Sequence, residues 1–188
     1  MLRQWLVPVG VSLLAAVAGV LLYRYALHQP QYVSAPPAET ISYQPPAQDL
    51  QLTDLRLPDL DGRLQALDQW PEPVLIVNFW APWCAPCRRE IPALVAAQDE
   101  YAQQLRVIGL SFDAEQKVRE FVASQNINYP ILLANEHSAT LNRYFGNSHG
   151  GLPFTAVLNA RREIVQQHAG EVKPEQISDW IEATLEAK

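Results

Sequence analysis

The chain has few cysteines and little positive charge. Its 188 residues include two cysteines, four histidines, and 14 Lys and Arg against 20 Asp and Glu, for a formal net charge of −6. No stretch is rich in Lys or Arg, so the sequence lacks the basic surface that nucleic-acid binding requires. We therefore expect no nucleic-acid partner.

The cysteines and histidines are also wrongly spaced for a metal or haem site. A zinc site would need two more ligands beside the cysteine pair, and the histidines offer no His-x₃₋₅-His spacing. Covalent haem attachment requires a histidine directly after the second cysteine, where Arg88 stands. The sequence therefore predicts neither a metal nor an organic cofactor.

Charged residues are missing from the N-terminal segment between Arg3 and Arg24, which is strongly apolar. About 20 consecutive apolar residues are enough for a helix to span a bilayer. We therefore predict that residues 1–27 form one transmembrane signal anchor. The alternative is a signal peptide cleaved after Ala16-Val17-Ala18, but the apolar run continues to Tyr23, which favours an uncleaved anchor.

Residues 28–48 are predicted to be a linker rather than a folded element. They are rich in Pro, Gln, Ser and Ala and contain too little apolar surface to build a core. Such a segment is expected to be extended and to hold the following domain away from the membrane. The prolines concerned are Pro30, Pro36, Pro37, Pro45 and Pro46.

Residues 49–188 are predicted to form one α/β domain, because strand-like and helix-like segments alternate along them. Asp61-Gly62, between two short alternating segments, predicts a β-hairpin. The continuous apolar run Val74–Trp80 predicts a strand in the buried middle of a sheet. Further strands are predicted at Leu105–Phe112, Tyr129–Leu133, Thr155–Leu158 and Glu163–His168.

Helices are predicted between these strands from apolar periodicity and from terminal signals. The first should start at the cysteine pair and reach about Gln104. Asp113 is predicted to cap the second, with Gln116 as its capping-box partner. Gly146 should end the third, and Pro174 should open the last. The resulting order, with an antiparallel pair near the end, predicts a mixed sheet.

The two cysteines lie two residues apart, between the predicted buried strand and a helix. Unpaired backbone N–H groups and the helix dipole favour an anion at Cys84, and the thiolate is the form that attacks a disulfide. Cys87 lies one turn further on and can resolve the mixed disulfide. A purely structural disulfide is disfavoured, because so short a loop hardly restricts the unfolded chain. The arrangement therefore predicts thiol–disulfide exchange.

Two segments resemble thioredoxin-fold proteins, and among them the membrane-anchored, extracytoplasmic reductases of the TlpA/ResA/CcmG (DsbE) type. They are Asn78–Pro92, with the sequence NFWAPWCAPCRREIP, and Gly151–Thr155, with the sequence GLPFT. The resemblance implies a thioredoxin-like fold with an extra αβ unit at residues 114–133. It also implies that Pro153 is cis and faces the cysteine pair, with Leu152 offering backbone groups to an extended substrate peptide.

The same resemblance implies roles for residues around the cysteines. Glu90 matches an acid that the subfamily carries after the second cysteine, which makes it a candidate proton acceptor for Cys87. The alternative is an ordinary solvated carboxylate in the first turns of a helix. Asn78 stands where thioredoxin has a buried aspartate. The substrate-binding residues implied are Trp83, Pro86, Leu152 and Pro153.

The predicted protein is a single-pass bacterial inner-membrane reductase with its thioredoxin-like domain on the periplasmic side. It would reduce disulfides in exported proteins and receive electrons from a membrane thiol carrier. Apocytochrome c is a substrate that the family likeness implies, although the Gly-Val-x-Gly-x-Pro-Glu-Thr pattern of the dedicated cytochrome-maturation members is not present.

Three other functions stay open at this point. One is a membrane-tethered thiol oxidase, which would use the same cysteine pair in the opposite direction. Another is a peroxiredoxin-like peroxidase, whose active site needs Thr three residues before Cys84, where Ala81 stands. The third is a tethered binding module that uses the groove without exchange.

Overall fold

The computed structural model describes residue 19, residues 21–25 and residues 55–187. The chain divides into two units, Met1–Tyr43 and Gln44–Lys188, and the fold given below is that of the second. None of the helices in the described ranges is both long and apolar enough to cross a bilayer. The linker predicted at 28–48 lies outside the described residues, as does most of the anchor predicted at 1–27, so both stay predictions.

The described part of the second unit alternates strands with helices. Its strands are β1 (Arg56–Pro58), β2 (Leu64–Ala66), β3 (Val74–Trp80), β4 (Leu105–Ser111), β5 (Ile131–Leu133), β6 (Phe154–Leu158) and β7 (Ile164–Ala169). Its helices are α1 (Ala85–Glu100), α2 (Glu115–Ala123), α3 (Ser138–Tyr144) and α4 (Pro174–Glu186), with a 3₁₀ turn at Asn135–His137. The predicted α/β order is confirmed.

Five of these strands form one mixed sheet in the order β5-β4-β3-β6-β7. The β3 strand runs parallel to β4 and antiparallel to β6, so hydrogen bonds flank it on both sides. All seven of its residues are buried. This central position explains why its sequence is a nearly continuous apolar run, and it confirms the predicted middle strand.

The two faces of β3 pack into two separate apolar clusters. Val74, Ile76 and Trp80 belong to the cluster that also contains both cysteines and the inner sides of α1 and α4. The alternate residues, Leu75 and Phe79 among them, belong to the cluster on the other side of the sheet. The cysteine pair therefore rests on one defined face of the central strand.

The β1 and β2 strands pair antiparallel as a separate hairpin, as predicted. Gly62 takes a φ of +77°, a conformation that residues with a Cβ rarely adopt. Asp59 fixes the turn, because its Oδ1 accepts hydrogen bonds of 2.9 Å from the backbone N–H of Asp61 and of Arg63.

The predicted αβ unit at residues 114–133 is present as α2 and β5. The β5 strand is parallel to β4 and adds one strand to the edge of the sheet. Val118 is fully buried in the cluster that holds the cysteines, so α2 packs on the same face of the sheet as α1.

Two predicted helix ends are wrong. The α1 helix ends at Glu100 rather than Gln104, because Tyr101 to Gln104 form a closed turn in which the Gln104 N–H donates to the Tyr101 carbonyl. Asp113 does not cap α2, whose N-terminal capping position is Ala114. The Asp113 Oδ1 accepts instead from the adjacent Ala114 N–H, at 2.7 Å.

Candidate active site

Cys84 and Cys87 are joined as a disulfide at the N-terminus of α1, with their Cα atoms 5.3 Å apart. Cys84 occupies the N-terminal capping position, and its Sγ accepts a 3.3 Å hydrogen bond from the Cys87 backbone N–H. Pro86 lies in the first turn, where its missing N–H removes no helical hydrogen bond. The helix therefore begins directly after Cys84, as the sequence predicts.

The chain reaches this position by a tight turn at the end of the central strand. The β3 strand ends at Trp80, and the Cys84 N–H then donates to the Ala81 carbonyl at 3.0 Å. Cys84 is only 4% exposed and Cys87 is fully buried. The pair is therefore almost wholly enclosed, and Cys84 is the more accessible of the two residues.

Trp83 is the most exposed of the predicted site residues, with 66% of its surface accessible, and Pro86 is half-buried. The Leu152–Pro153 peptide bond is cis. Leu152 packs against the same apolar cluster that contains Cys84 and Cys87, whereas Pro153 is itself buried. An exposed aromatic ring thus lies beside the disulfide in the chain, and the proline loop joins the same cluster.

Glu90 lies one turn after Cys87 and is only 1% exposed. Its Oε1 accepts a 2.7 Å hydrogen bond from Asn78 Nδ2, and its Oε2 accepts a 2.8 Å bond from the Val172 N–H. Burial raises the pKa of Glu90 from 4.5 to about 7, although both hydrogen bonds act in the opposite direction. The alternative of a solvated carboxylate is therefore wrong.

Asn78 links this carboxyl to the strand that follows the cis-proline. The same Nδ2 donates to Thr155 Oγ1 at 3.1 Å, and Thr155 is the register partner of Asn78 in the β3–β6 ladder. One polar residue within an apolar strand is a sequence signal that can reveal such a network. Thr155 belongs to the GLPFT segment, but the sequence does not show that it contacts Asn78, and nothing in the sequence points to Val172, because each is far from its partner along the chain.

A second titratable group faces the carboxyl from the segment before β5. Tyr129 is buried, and its burial together with the charge of Glu90 raises its pKa above the usual range. The phenol of Tyr129 therefore stays neutral, while Glu90 is mainly protonated below about pH 7 and mainly ionised above it. Across the described ranges, no group of three or more His, Cys, Asp or Glu side chains could hold a metal ion.

A disulfide at the start of the helix that follows the central strand of a mixed sheet, with a cis-proline loop packed against the same apolar cluster, defines a thioredoxin-like thiol–disulfide oxidoreductase. The chain belongs to the AhpC/TSA family, whose model matches residues 47–167, and its relatives are of the TlpA/ResA/CcmG type.

Two curated relatives and one solved structure illustrate the likeness. The thioredoxin-like protein YneN of Bacillus subtilis is 30% identical over 71% of this chain and 73% of its own length. The thiol-disulfide oxidoreductase ResA of Halalkalibacterium halodurans is 28% identical over 70% of this chain and 74% of its own. A thioredoxin-related protein from Neisseria meningitidis serogroup B superposes with a TM-score of 0.63 at 29% identity, covering 69% of this chain and 98% of that one.

Proposed function

We propose that this protein reduces disulfides in exported proteins by exchange at Cys84 and Cys87. The observation that carries the proposal is the position of Cys84, which caps α1 so that a backbone N–H points at its sulfur. An N–H donor and the positive end of a helix dipole stabilise a thiolate, the reactive form of cysteine. The likeness to the TlpA/ResA/CcmG type supports the reducing direction.

The proposed reaction has two balanced steps. The Cys84 thiolate attacks one sulfur of the substrate disulfide, which forms a mixed disulfide and releases the other substrate sulfur as a thiolate. The Cys87 thiolate then attacks Cys84 Sγ, which closes the protein disulfide and releases the second substrate thiolate. Two electrons pass from the cysteine pair to the substrate, so no further cofactor is required.

Glu90 is the group we propose to accept the Cys87 proton before the second step. It lies one helical turn after Cys87, and its pKa of about 7 keeps both protonation states accessible at neutral pH. A carboxyl with the ordinary pKa of 4.5 would be ionised too fully to return the proton readily when the pair is reduced again.

The substrate is proposed to lie as an extended peptide across the exposed side of the cysteine pair. Trp83 and Pro86 would contact it from the helix start, and Leu152 and Pro153 from the cis-proline loop. The half-buried Leu152 packs against the apolar cluster of the cysteines, which supports a surface shared by both segments.

We also propose where the protein is located and which partners it has. Residues 1–27 anchor the chain in the bacterial inner membrane, residues 28–48 are the linker, and the domain lies on the periplasmic side. A membrane thiol carrier restores the dithiol form. Substrates are exported proteins that contain disulfides, and apocytochrome c is the example that the family likeness suggests.

Trapping of the mixed disulfide tests this proposal. In full-length Cys87→Ser, Cys84 can attack but no thiol can resolve the product, so we expect stable disulfide-linked partners in the cell envelope. These partners should disappear on reduction and should be missing from the matched Cys84→Ser control. Equal trapping by both variants, or by neither, would contradict the assigned order of attack.

The reduction potential of the full-length protein decides whether it reduces or oxidises its substrates. Related proteins span about −270 to −120 mV, and we expect this protein near the reducing end. A potential near the oxidising end would favour the tethered oxidase instead.

The peroxidase alternative stays a prediction with a simple test, the consumption of peroxide by purified protein. The fully buried Ala81, in the place where that chemistry needs a threonine, argues against it.

A further inference from the structure

The loop that joins β7 to α4 binds α1 at two adjacent residues. Arg89 donates from Nε to Glu171 Oε2 at 2.8 Å, and its Nη2 lies 2.6 Å from the same oxygen. The next helix residue, Glu90, accepts from the N–H of the next loop residue, Val172. Two neighbouring contacts therefore fix the loop against the helix one turn beyond the disulfide.

We propose that Arg89 and Glu171 are positioning residues that control the protonation of Glu90. The hydrogen bond from Arg89 to Glu171 holds the Val172 N–H against the Glu90 carboxyl, and the charge of Arg89 neutralises a negative charge that faces this carboxyl. The consequence for catalysis rests on the proposed function, in which Glu90 exchanges a proton with Cys87.

The loop supplies one of the hydrogen bonds that hold the Glu90 carboxyl. Glu90 and Val172 are each only 1% exposed, so water cannot replace a lost bond between them. The Val172 N–H is one of only two donors that the described residues offer to Glu90. If the loop moves away, the unpaired Oε2 favours the protonated carboxyl.

The charges of the loop also act on Glu90. Glu171 interacts unfavourably with ionised Glu90, while Arg89 and Lys173 each form an ion pair with Glu171, on different oxygens. These cations hold the pKa of Glu171 below its ordinary value. Removing Arg89 leaves Glu171 less neutralised, which disfavours the charged form of Glu90. The weakened hydrogen bond and the weaker neutralisation of Glu171 therefore both favour the protonated form of Glu90 when Arg89 is lost.

The groups around Glu90 come from four elements. Asn78 faces it from β3, Tyr129 from the segment before β5 and Glu171 from the loop, while Cys87 lies one turn before it on its own helix. In the oxidised protein Cys87 does not titrate, and the raised pKa of Tyr129 keeps this phenol neutral. The oxidised state therefore isolates the titration of Glu90.

The neighbouring Arg88 provides a matched control. Like Arg89 it is an exposed arginine of α1, but its guanidinium lies 5.8 Å from the centre of the Phe121 ring on α2. Arg88→Ala therefore removes the same charge from the same turn of the helix while leaving the loop contact intact.

The test is the pH titration of Glu90 in the oxidised full-length protein. The infrared carbonyl band of its protonated carboxyl is followed, with Glu90→Gln used to assign the band. We expect Arg89→Ala to raise the midpoint by about half a pH unit, a size typical of partly exposed charges. Glu171→Gln keeps an oxygen that can accept from Arg89 but removes the negative charge, so it should lower the midpoint by a similar amount. Arg88→Ala should leave it nearly unchanged.

Opposite shifts in the Arg89 and Glu171 variants support the inference, since general loosening of the structure would not give opposite signs. Equal shifts in Arg89→Ala and Arg88→Ala, or shifts of one sign in Arg89→Ala and Glu171→Gln, would overturn it. The pH profile of disulfide reduction is a separate measurement. If the infrared midpoints move but this profile does not, the positioning roles hold while the proton role proposed for Glu90 fails.

Discussion

Asn78 Nδ2 donates a 2.7 Å hydrogen bond to Oε1 of Glu90, and this bond joins the central strand of the sheet to the second turn of α1. Both side chains are 1% exposed. The carboxyl is therefore held by fixed protein donors rather than by water. Burial raises its pKa to about 7, and the hydrogen bonds from these donors act against that rise.

Replacing Asn78 with alanine should therefore destabilise the protein in a pH-dependent way. The unpaired Oε1 penalises ionised Glu90 most, so we expect a loss of about 1–3 kcal/mol in the free energy of unfolding at pH 8 and a smaller loss at pH 5. Urea unfolding of the oxidised full-length protein measures this loss. Thr155→Val, which removes the other partner of Asn78 but leaves the bond to Glu90, is the control and should show little pH dependence. Equal losses at both pH values would contradict this account.

The wild-type protein should itself lose stability as pH rises from about 4.5 to 7. Folding raises the pKa of Glu90 from 4.5 to about 7, so the native state binds more protons than the unfolded state in this range. The free energy of unfolding then falls with rising pH, by at most about 3 kcal/mol from this group. Urea unfolding of wild type and Glu90→Gln across this range measures the effect as the difference in slope. If the two proteins have the same slope, Glu90 does not carry the predicted shift.

Gly109→Ala should destabilise the layer under the active site. A Cβ at Gly109, the register partner of Asn78 on β4, would lie 2.6 Å from Ile131 Cδ1 and 3.0 Å from Trp80 Nε1. We expect a cost of about 1–3 kcal/mol in the free energy of unfolding. Ile131→Val removes the clashing atom, so the double variant should be more stable than the sum of the two single effects predicts. Strict additivity in this cycle would show that Ile131 is not the obstacle.

Trp83→Ala should slow reduction of a protein substrate without loss of stability. The ring is 66% exposed, so we expect a change within about 0.5 kcal/mol in the free energy of unfolding. Loss of an aromatic contact at a binding surface should slow exchange with a protein disulfide about fivefold or more. Leu64→Ala, a similarly exposed apolar residue of the hairpin, should leave the rate unchanged. A normal rate in Trp83→Ala would remove this residue from the substrate surface.

The central strand and the ends of two helices were predictable, because each depends on a local pattern in the sequence. Asn78 is the one polar residue in the run Val74–Trp80. Such a nearly continuous apolar run is typical of a strand that is covered on both faces, as this one is. Pro174 and Gly146 lie at a helix start and just beyond a helix end, as their backbone preferences dictate. The cap at Asp113 was predicted wrongly, since the pattern does not reveal that its carboxylate bonds to the adjacent N–H.

The sequence by itself determined the α/β order and the cysteine pair at a helix start, because such features depend on residues near one another in the chain. The resemblance to a known family then implied Glu90 as a candidate acid. Only the tertiary structure decided that Glu90 is buried, and that Asn78 and Val172 supply its hydrogen bonds. The physical reason is that the protonation of a buried carboxyl depends on the groups that surround it. One of these comes from a loop 82 residues away, which only folding brings into contact.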